Sequence, residues 1–217
     1  MTCDFSYHHY KECLVSALSQ NYDFFRFCDY ENIADSSKFI FLRHDVDHSL
    51  DLALKMGVIE HTLGIRATYF IRLHAAKYNA LSLVGTQQLY HLKEMGHEIG
   101  LHYEPSYSAT LKQDPQQSLQ VDLNALENCI GEKIISISPH EPTREKSFIV
   151  NKELMRKNGL KYQAYDDIFI KQLKYISDSS CNWREGCMHT FIANNIPKLC
   201  ILTHPFWWYQ HSSLENY

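Results

Sequence analysis

The chain has 217 residues, of which 45% are hydrophobic and 21% are charged. These values exclude an intrinsically disordered chain, and the length fits one ordinary domain, spanning residues 1–217, with a substantial core. The 21 basic and 25 acidic residues give a formal net charge of −4 without a long run of Lys or Arg, which argues against nucleic acid as the main partner.

Seven cysteines are scattered along the sequence without a C-x-x-C pair. This spacing indicates neither a disulfide framework nor a thiolate zinc site, so we interpret the cysteines as core fillers. The first residues have neither the basic nor the apolar segment of a secretory signal peptide, and no apolar run reaches the roughly 18 residues of a membrane helix. The sequence therefore predicts a cytoplasmic protein without a transmembrane segment.

The predicted elements begin with a helix over residues 8–20, inside an N-terminal helical extension that ends at about residue 37. Six apolar runs then predict β-strands at residues 39–42, 67–73, 98–102, 134–138, 162–165 and 199–203. Four amphipathic segments predict α-helices at about 52–63, 86–95, 114–130 and 146–157. This alternation predicts an α/β fold with six or seven strands in a parallel sheet or barrel.

Two carboxylates follow the first predicted strand. Asp45 and Asp47 lie two residues apart, so on an extended segment both side chains point to the same side and can enter one pocket. Two acids this close need a cation or a shared proton to offset their repulsion. The alternative is that one of them caps the helix that begins near Ser49.

Polar residues also follow the other predicted strands. Because the carboxyl ends of parallel strands meet on one face, we expect these residues to converge. The structural alternatives are a hydrogen-bonded histidine, a helix cap and a proline-rich turn. The residues are His102, Tyr103 and Glu104; His140 and Glu141 between two prolines; Asp166 and Asp167; and His204.

Two further groups suit a sugar or a phosphate. Trp207 lies in the aromatic run of residues 206–209, and aromatic faces fit the apolar faces of sugar rings, although packing onto the core is an equal alternative. Arg184 suits a phosphate or carboxylate. The remaining histidines, including His9 and His189, are interpreted as surface residues.

Residues 38–208 resemble the polysaccharide deacetylase family, the NodB-homology metallohydrolases. The motif His-Asp-Val-Asp at 44–47 is similar to the first family motif in its D-x-D form, residues 96–102 are similar to the run that leads into the second, and residues 201–204 are similar to the last. The resemblance implies that Asp45 is the general base and His204 the general acid. It also implies that Asp47 and His102 bind a divalent metal, with zinc as first choice.

One position departs from the family pattern. The second motif usually supplies another histidine four residues after the first, and Ser106 stands there in this chain. Glu104 is one candidate to replace that ligand, because it faces the same way as His102 on an extended segment. His140 is the other candidate, although the segment His140-Glu141-Pro142 stands where the family often has an Arg-x-Pro group that touches the base.

The resemblance implies a distorted, incomplete (β/α) barrel with about seven parallel strands. It also implies a metal-dependent amidohydrolase that removes an N-acetyl group from an amino sugar of a glycan or glycan precursor. Arg184 would meet a phosphate of such a precursor, and Trp207 would meet the sugar. Two alternatives remain open: a non-catalytic carbohydrate-binding protein on the same barrel, and a hydrolase of another C–N bond.

Overall fold

The computed structural model describes residues 3–33, 37–141 and 150–217. Within these ranges the β-strands are β1 Asp23–Phe25, β2 Phe39–Val46, β3 Thr68–Ile71, β4 Glu98–Tyr103, β5 Ser136–Pro139, β6 Tyr162–Gln163, β7 Lys174–Ser177 and β8 Lys198–Thr203. The α-helices are α1 Tyr7–Ser19, α2 Leu50–Thr62, α3 Leu83–Glu94, α4 Pro105–Thr110, α5 Pro115–Ile130, α6 Lys152–Lys157, α7 Asp167–Ile170 and α8 Met188–Ala193.

The strands form one parallel sheet in the order β6-β5-β4-β3-β2-β8-β7. The short β1 pairs with the first half of β2, and β3 pairs with its second half. The sheet curls into a half-barrel flanked by helices, and within the described residues it ends at β6 and β7. The prediction of an incomplete barrel with about seven parallel strands is therefore confirmed.

Strand β2 turns alternate residues to two different environments. On the inner face of the half-barrel, Phe39 and Phe41 pack in an aromatic cluster with Phe27, Phe70 and other rings. Phe39 and Phe41 come from the amino-terminal half of β2. The polar residues that follow on the same face therefore lie beyond these rings, towards the carboxyl ends of the strands.

The outer face of β2 carries a buried polar network around Glu60 of α2. The hydroxyl groups of Tyr10 and Tyr69 donate to its two carboxylate oxygens at 2.5 and 2.9 Å. The Nε2 atom of His44 lies 2.9 Å from Oε1. Burial opposes the charge on Glu60, but His44, together with His97 and Tyr10, outweighs it and lowers the pKa of Glu60. These contacts hold α1 and α2 against β2 and fix the direction of its side chains.

The helix ends agree with the sequence where it carries strong capping residues. Asp114 accepts a hydrogen bond from the Gln116 amide at 3.2 Å at the start of α5. Helix α2 begins after Ser49, whose hydroxyl accepts a hydrogen bond from the Leu52 amide at 3.2 Å, so neither of the two predicted site carboxylates caps it.

Among the described residues, the structure contains no helix with the length and apolar character needed to cross a membrane.

We predict that Gly100→Ala destabilises the protein. Gly100 lies on the inner face of β4, where a β-carbon would come within 2.6 Å of the Phe70 ring and 2.9 Å of the Ser136 carbonyl oxygen. We expect this overpacking to lower the free energy of unfolding by about 1–3 kcal/mol, measured by urea denaturation. The double variant with Phe70→Leu should lose less than the sum of the two single changes; strictly additive losses would contradict this packing.

Candidate active site

A cavity of about 690 Å³ opens at the carboxyl ends of the strands. It brings together side chains from five strand ends and from the segments that follow β7 and β8, as the convergence argument predicts. Seven of the eight site residues that the sequence predicts line it: Asp45, Asp47, His102, His140, Arg184, His204 and Trp207.

Asp47 lies at the centre of three imidazoles. The Nε2 atoms of His102 and His140 are 3.3 and 3.8 Å from its Oδ1 atom, and the Nε2 atom of His204 is 3.9 Å from Oδ2. Burial opposes the charge on Asp47, but the three imidazoles outweigh it and hold the pKa of Asp47 well below its usual value. The carboxylate is therefore ionised at neutral pH.

The donor set fits a divalent cation. The Nδ1 atom of His102 lies 2.9 Å from the Ser138 carbonyl oxygen, which only accepts, so Nδ1 carries a proton and Nε2 carries the lone pair whenever the ring is neutral. That lone pair faces the buried Oδ1 of Asp47, which accepts no hydrogen bond from the described residues. Burial opposes a charge on His102, but Asp45 and Asp47 outweigh it and raise the pKa of His102, so this position favours positive charge, which a shared proton or a metal ion would supply.

His140 is suited to complete such a site. Burial, followed by repulsion from His102, lowers the pKa of His140, so its ring is neutral near pH 7 and can offer a lone pair. Its ring stands almost perpendicular to that of His102, with 5.3 Å between the centroids. Together with Asp47, these two imidazoles make an O,N,N set of the kind found at catalytic zinc sites.

Glu104, the other candidate for the third ligand, has a different partner. Its Oε1 atom forms a short ion pair with Nη2 of Arg72, a residue that directly follows β3. Nη1 of the same guanidinium lies 4.0 Å from Oδ1 of Asp47. Arg72 thus lies between the two acids.

Ser106 lies in α4, and Pro142 of the His-Glu-Pro segment lies outside the described residues.

Asp45 is held by a buried arginine from its own strand. Nη2 of Arg43 donates to Oδ2 of Asp45 at 2.9 Å, and Nη1 donates to the Ala164 carbonyl oxygen at 3.1 Å. The guanidinium also lies 4.7 Å from the centroid of the Tyr165 ring. Oδ1 of Asp45 is buried and accepts no hydrogen bond from the described residues. One oxygen is therefore anchored and the other remains available for a proton.

His204 forms a dyad with the fully buried Asp178. Oδ1 of Asp178 accepts from Nδ1 of His204 at 2.6 Å, and Oδ2 accepts from Nε1 of Trp208 at 2.9 Å. The backbone N–H of His204 also donates to this carboxylate at 3.0 Å. Burial opposes the charge on His204, but Asp178, together with Asp45 and Asp47, outweighs it and raises the pKa of His204 to about 9. The ring is protonated at neutral pH.

The rim of the cavity carries aromatic and basic groups. The Trp207 ring is partly buried, 6.5 Å from the centroid of the His204 ring. Arg184, in the segment after β7, is exposed and also lines the cavity. Tyr165 and Tyr175 also line the cavity, beside Arg43. These residues surround the space in front of the acidic groups and can contact a bound substrate.

Three residues that hold the site together were not predicted from the sequence. Arg43 lies two residues before Asp45 on the same strand. The two-residue alternation that pairs Asp45 with Asp47 therefore also predicts that Arg43 faces the same side of the sheet. Arg72 directly follows β3, but the predicted strand extends to residue 73, so the place of Arg72 at a strand end was hidden. Asp178 follows β7, which is short and was not predicted, so its place at a strand end was hidden.

The structure of this chain is similar to solved structures of known proteins. No family model and no curated protein matches the sequence. Among solved structures, the deacetylase PplD of Streptococcus pyogenes in complex with acetate matches with a TM-score of 0.52 and 13% identity over 89% of this chain and 79% of that one. A family 4 carbohydrate esterase from Streptomyces lividans in complex with acetate has a TM-score of 0.50 and 15% identity over 78% and 80%.

This chain thus has the fold of the family 4 carbohydrate esterases, the NodB-homology deacetylase fold, as the resemblance predicts. A mutant of BA3943, a CE4 family pseudoenzyme with restored enzymatic activity, matches at 13% identity over 79% of this chain with a TM-score of 0.49. The present chain spans only 57% of the length of that protein.

We predict that Asp178→Asn lowers the pKa of His204. The Asp178 carboxylate contributes most to raising this pKa against the effect of burial, so its removal leaves only the smaller contributions of Asp45 and Asp47, and the pKa should fall by at least about one unit. Titration of the His204 ring by NMR measures the change. Asp167→Asn is the matched control, because that carboxylate is exposed and pairs with Lys171. An unchanged pKa in Asp178→Asn would contradict the dyad.

Proposed function

We propose that the protein is a metal-dependent hydrolase that removes an N-acetyl group from an amino sugar of a glycan or glycan precursor. The observation that carries the proposal is the placement of a carboxylate, an O,N,N ligand set and a protonated histidine around one cavity. The family 4 carbohydrate esterase and the deacetylase of the same fold, both in complex with acetate, support this choice of reaction.

Asp47, His102 and His140 would hold the metal ion, for which zinc suits the donor set best. A cation there would polarise the amide carbonyl and make water a better nucleophile at neutral pH. Three protein ligands leave a position open for substrate, as in catalytic zinc sites. His140 takes the place of the histidine that the family pattern puts at Ser106, while Arg72 engages Glu104.

Asp45 would act as the general base. Its anchored Oδ2 fixes the carboxylate plane, and Oδ1 takes a proton from the attacking water. In the family pattern the group that touches the base belongs to an Arg-x-Pro segment. Here Arg43 provides the guanidinium from the strand that carries the base, which leaves His140 free to serve at the metal.

His204 would act as the general acid. An amide nitrogen leaves poorly as an anion, so the amine must receive a proton as the C–N bond breaks. Asp178 holds Nδ1 of His204, which directs Nε2 towards Asp47 at 3.9 Å and keeps the ring protonated. Asp178 is thus a positioning residue that also supplies the proton affinity needed for this role.

The substrate would lie between Trp207 and Arg184. The indole face would pack against a sugar ring, and the exposed guanidinium would meet a phosphate of a nucleotide-linked or lipid-linked precursor. Equal kcat/KM on N-acetylated sugars with and without a phosphate would remove this role from Arg184.

We predict that Asp45→Asn abolishes release of acetate while the fold and bound metal remain. The amide of Asn keeps the size of the side chain but cannot take a proton, and loss of a general base costs roughly 10²–10⁴-fold in kcat. The measurement is acetate released from N-acetylated amino-sugar oligomers by the zinc-loaded protein, with circular dichroism and elemental analysis on the same sample.

The wild-type protein and Asp167→Asn serve as positive controls in that assay. Full activity of Asp45→Asn would remove Asp45 as the base. If the wild-type protein binds the sugar oligomers but releases no acetate, it is a carbohydrate-binding protein on this barrel. If it cleaves an imide or a ureide instead, the reaction is hydrolysis of a different C–N bond.

We predict that His140→Ala lowers the zinc content by one equivalent per chain, as Asp47→Ala and His102→Ala do. Glu104→Gln should retain that equivalent, because the Glu104 carboxylate is paired with Arg72. Inductively coupled plasma mass spectrometry of the dialysed proteins measures the content. The opposite pattern, with loss in Glu104→Gln and retention in His140→Ala, would assign the third ligand to Glu104.

A further inference from the structure

A cluster of thiols and imidazoles lies between helices α1 and α8, among residues that play no part in the cavity. His9 and Cys13 are four residues apart on α1, so they share one helix face. Cys187 occupies the N-cap of α8, and His189 lies in its first turn. None of these four residues lines the cavity at the carboxyl ends of the strands.

The spacing of the four ligand atoms matches a tetrahedral metal site. One side-chain atom from each of the four residues lies within 4.8 Å of all the others. Nε2 of His9 lies 3.4 Å from Sγ of Cys187 and 3.6 Å from Sγ of Cys13. Zinc bonds of about 2.3 Å to sulfur and 2.0 Å to nitrogen place neighbouring S and N ligands about 3.5 Å apart in a tetrahedron.

The chemistry of the cluster also favours a cation. His9, Cys13 and Cys187 are buried, at 3, 2 and 5% exposure, where a polar imidazole needs strong partners. The two sulfur atoms near Nε2 of His9 are weak hydrogen-bonding groups. Two thiolates and two neutral imidazoles would balance the charge of a divalent ion, which is the condition for burying one without a net charge.

We propose that His9, Cys13, Cys187 and His189 bind a structural zinc ion that joins the amino-terminal helix to α8. Four protein ligands leave no position for a substrate, which distinguishes structural from catalytic zinc. Tyr10, the residue after His9, donates to Glu60 of the network behind β2. The ion would therefore hold α1 in the position from which it supports that strand.

The cysteine spacing alone does not reveal this site. Its sequence pattern is His-x₃-Cys near the start of the chain and Cys-x-His about 170 residues later. Neither half is a zinc motif by itself, and the packing of α1 on α8 brings them together. The interpretation of His9 as a surface residue is wrong, because its side chain is buried between the two helices.

Titration of the wild-type protein with Co²⁺ tests the proposal. Tetrahedral cobalt with thiolate ligands absorbs in the near ultraviolet, and the proposed active site contains no cysteine. The band therefore reports only on the thiol cluster, whatever the outcome for the deacetylase. We expect a band that saturates at one equivalent per chain, is abolished by Zn²⁺, and is lost in Cys13→Ser and Cys187→Ser. Cys129→Ser, a half-buried thiol beside Thr86, is the matched control and should retain it.

A second measurement does not depend on the folding of the cysteine variants. In Asp47→Ala/His102→Ala, which lacks the active-site ligands, Zn²⁺ at a hundred times its Kd should raise Tm by roughly 5–10 °C. The absence of a thiolate band in the wild-type protein would overturn the proposal, as would a Cys13–Cys187 disulfide in peptide maps. The assignment of Cys13 would be overturned if Cys3→Ser loses the band and Cys13→Ser retains it, since the Cys3 thiol also hydrogen-bonds Cys187 and His9.

Discussion

Strand β2 is buried along its whole length and is paired on both edges, so the direction of every side chain on it is fixed. Its two-residue period places Arg43 and Asp45 on the inner face, and Asp47 continues the same alternation just beyond the strand. A shift of one residue would exchange them for His44 and Val46. The buried contact of His44 with Glu60 opposes that shift, because it would leave a charged carboxylate without its partner.

The same constraint separates the roles of the two acids. Asp45 lies within β2, where Arg43 and Ser138 contact its Oδ2 atom. Asp47 lies just beyond the carboxyl end of the strand, among three histidines. The environments therefore differ although the residues are identical in chemistry. A guanidinium beside one acid and imidazoles beside the other favour a proton acceptor at the first and a metal ligand at the second.

Much of this arrangement was predictable because it depends on local pattern. Apolar runs predicted six strands of the half-barrel, and the strand-end rule placed five residues in one cavity: Asp45, Asp47, His102, His140 and His204. Strands β1 and β7 were missed because neither is an apolar run: β1 is Asp-Phe-Phe inside the predicted helical extension, and β7 is Lys-Tyr-Ile-Ser, with polar residues at both ends. The contact of Asp178 with His204 was missed for the same reason.

The remaining features depend on tertiary packing that a single sequence does not encode locally. His140 approaches Asp47 only because β5 lies beside β4 in the curled sheet. Glu104 satisfied the i+2 rule, but Arg72 from the neighbouring strand end reaches its carboxylate. The thiol cluster joins two helices that are separated by most of the chain. In each case the sequence pattern did not predict the distant residue that makes the contact.

Anomalous diffraction from zinc-soaked crystals, recorded at the zinc absorption edge, tests the central claim most directly. We expect a peak in the cavity within bonding distance of Asp47, His102 and His140, with the Asp45 carboxylate outside the coordination sphere and still bound to Arg43. A peak coordinated by Asp45 or Glu104 in place of His140 would contradict the division of roles along β2. A fully occupied zinc site elsewhere in the crystal with none in the cavity would contradict the metal site itself.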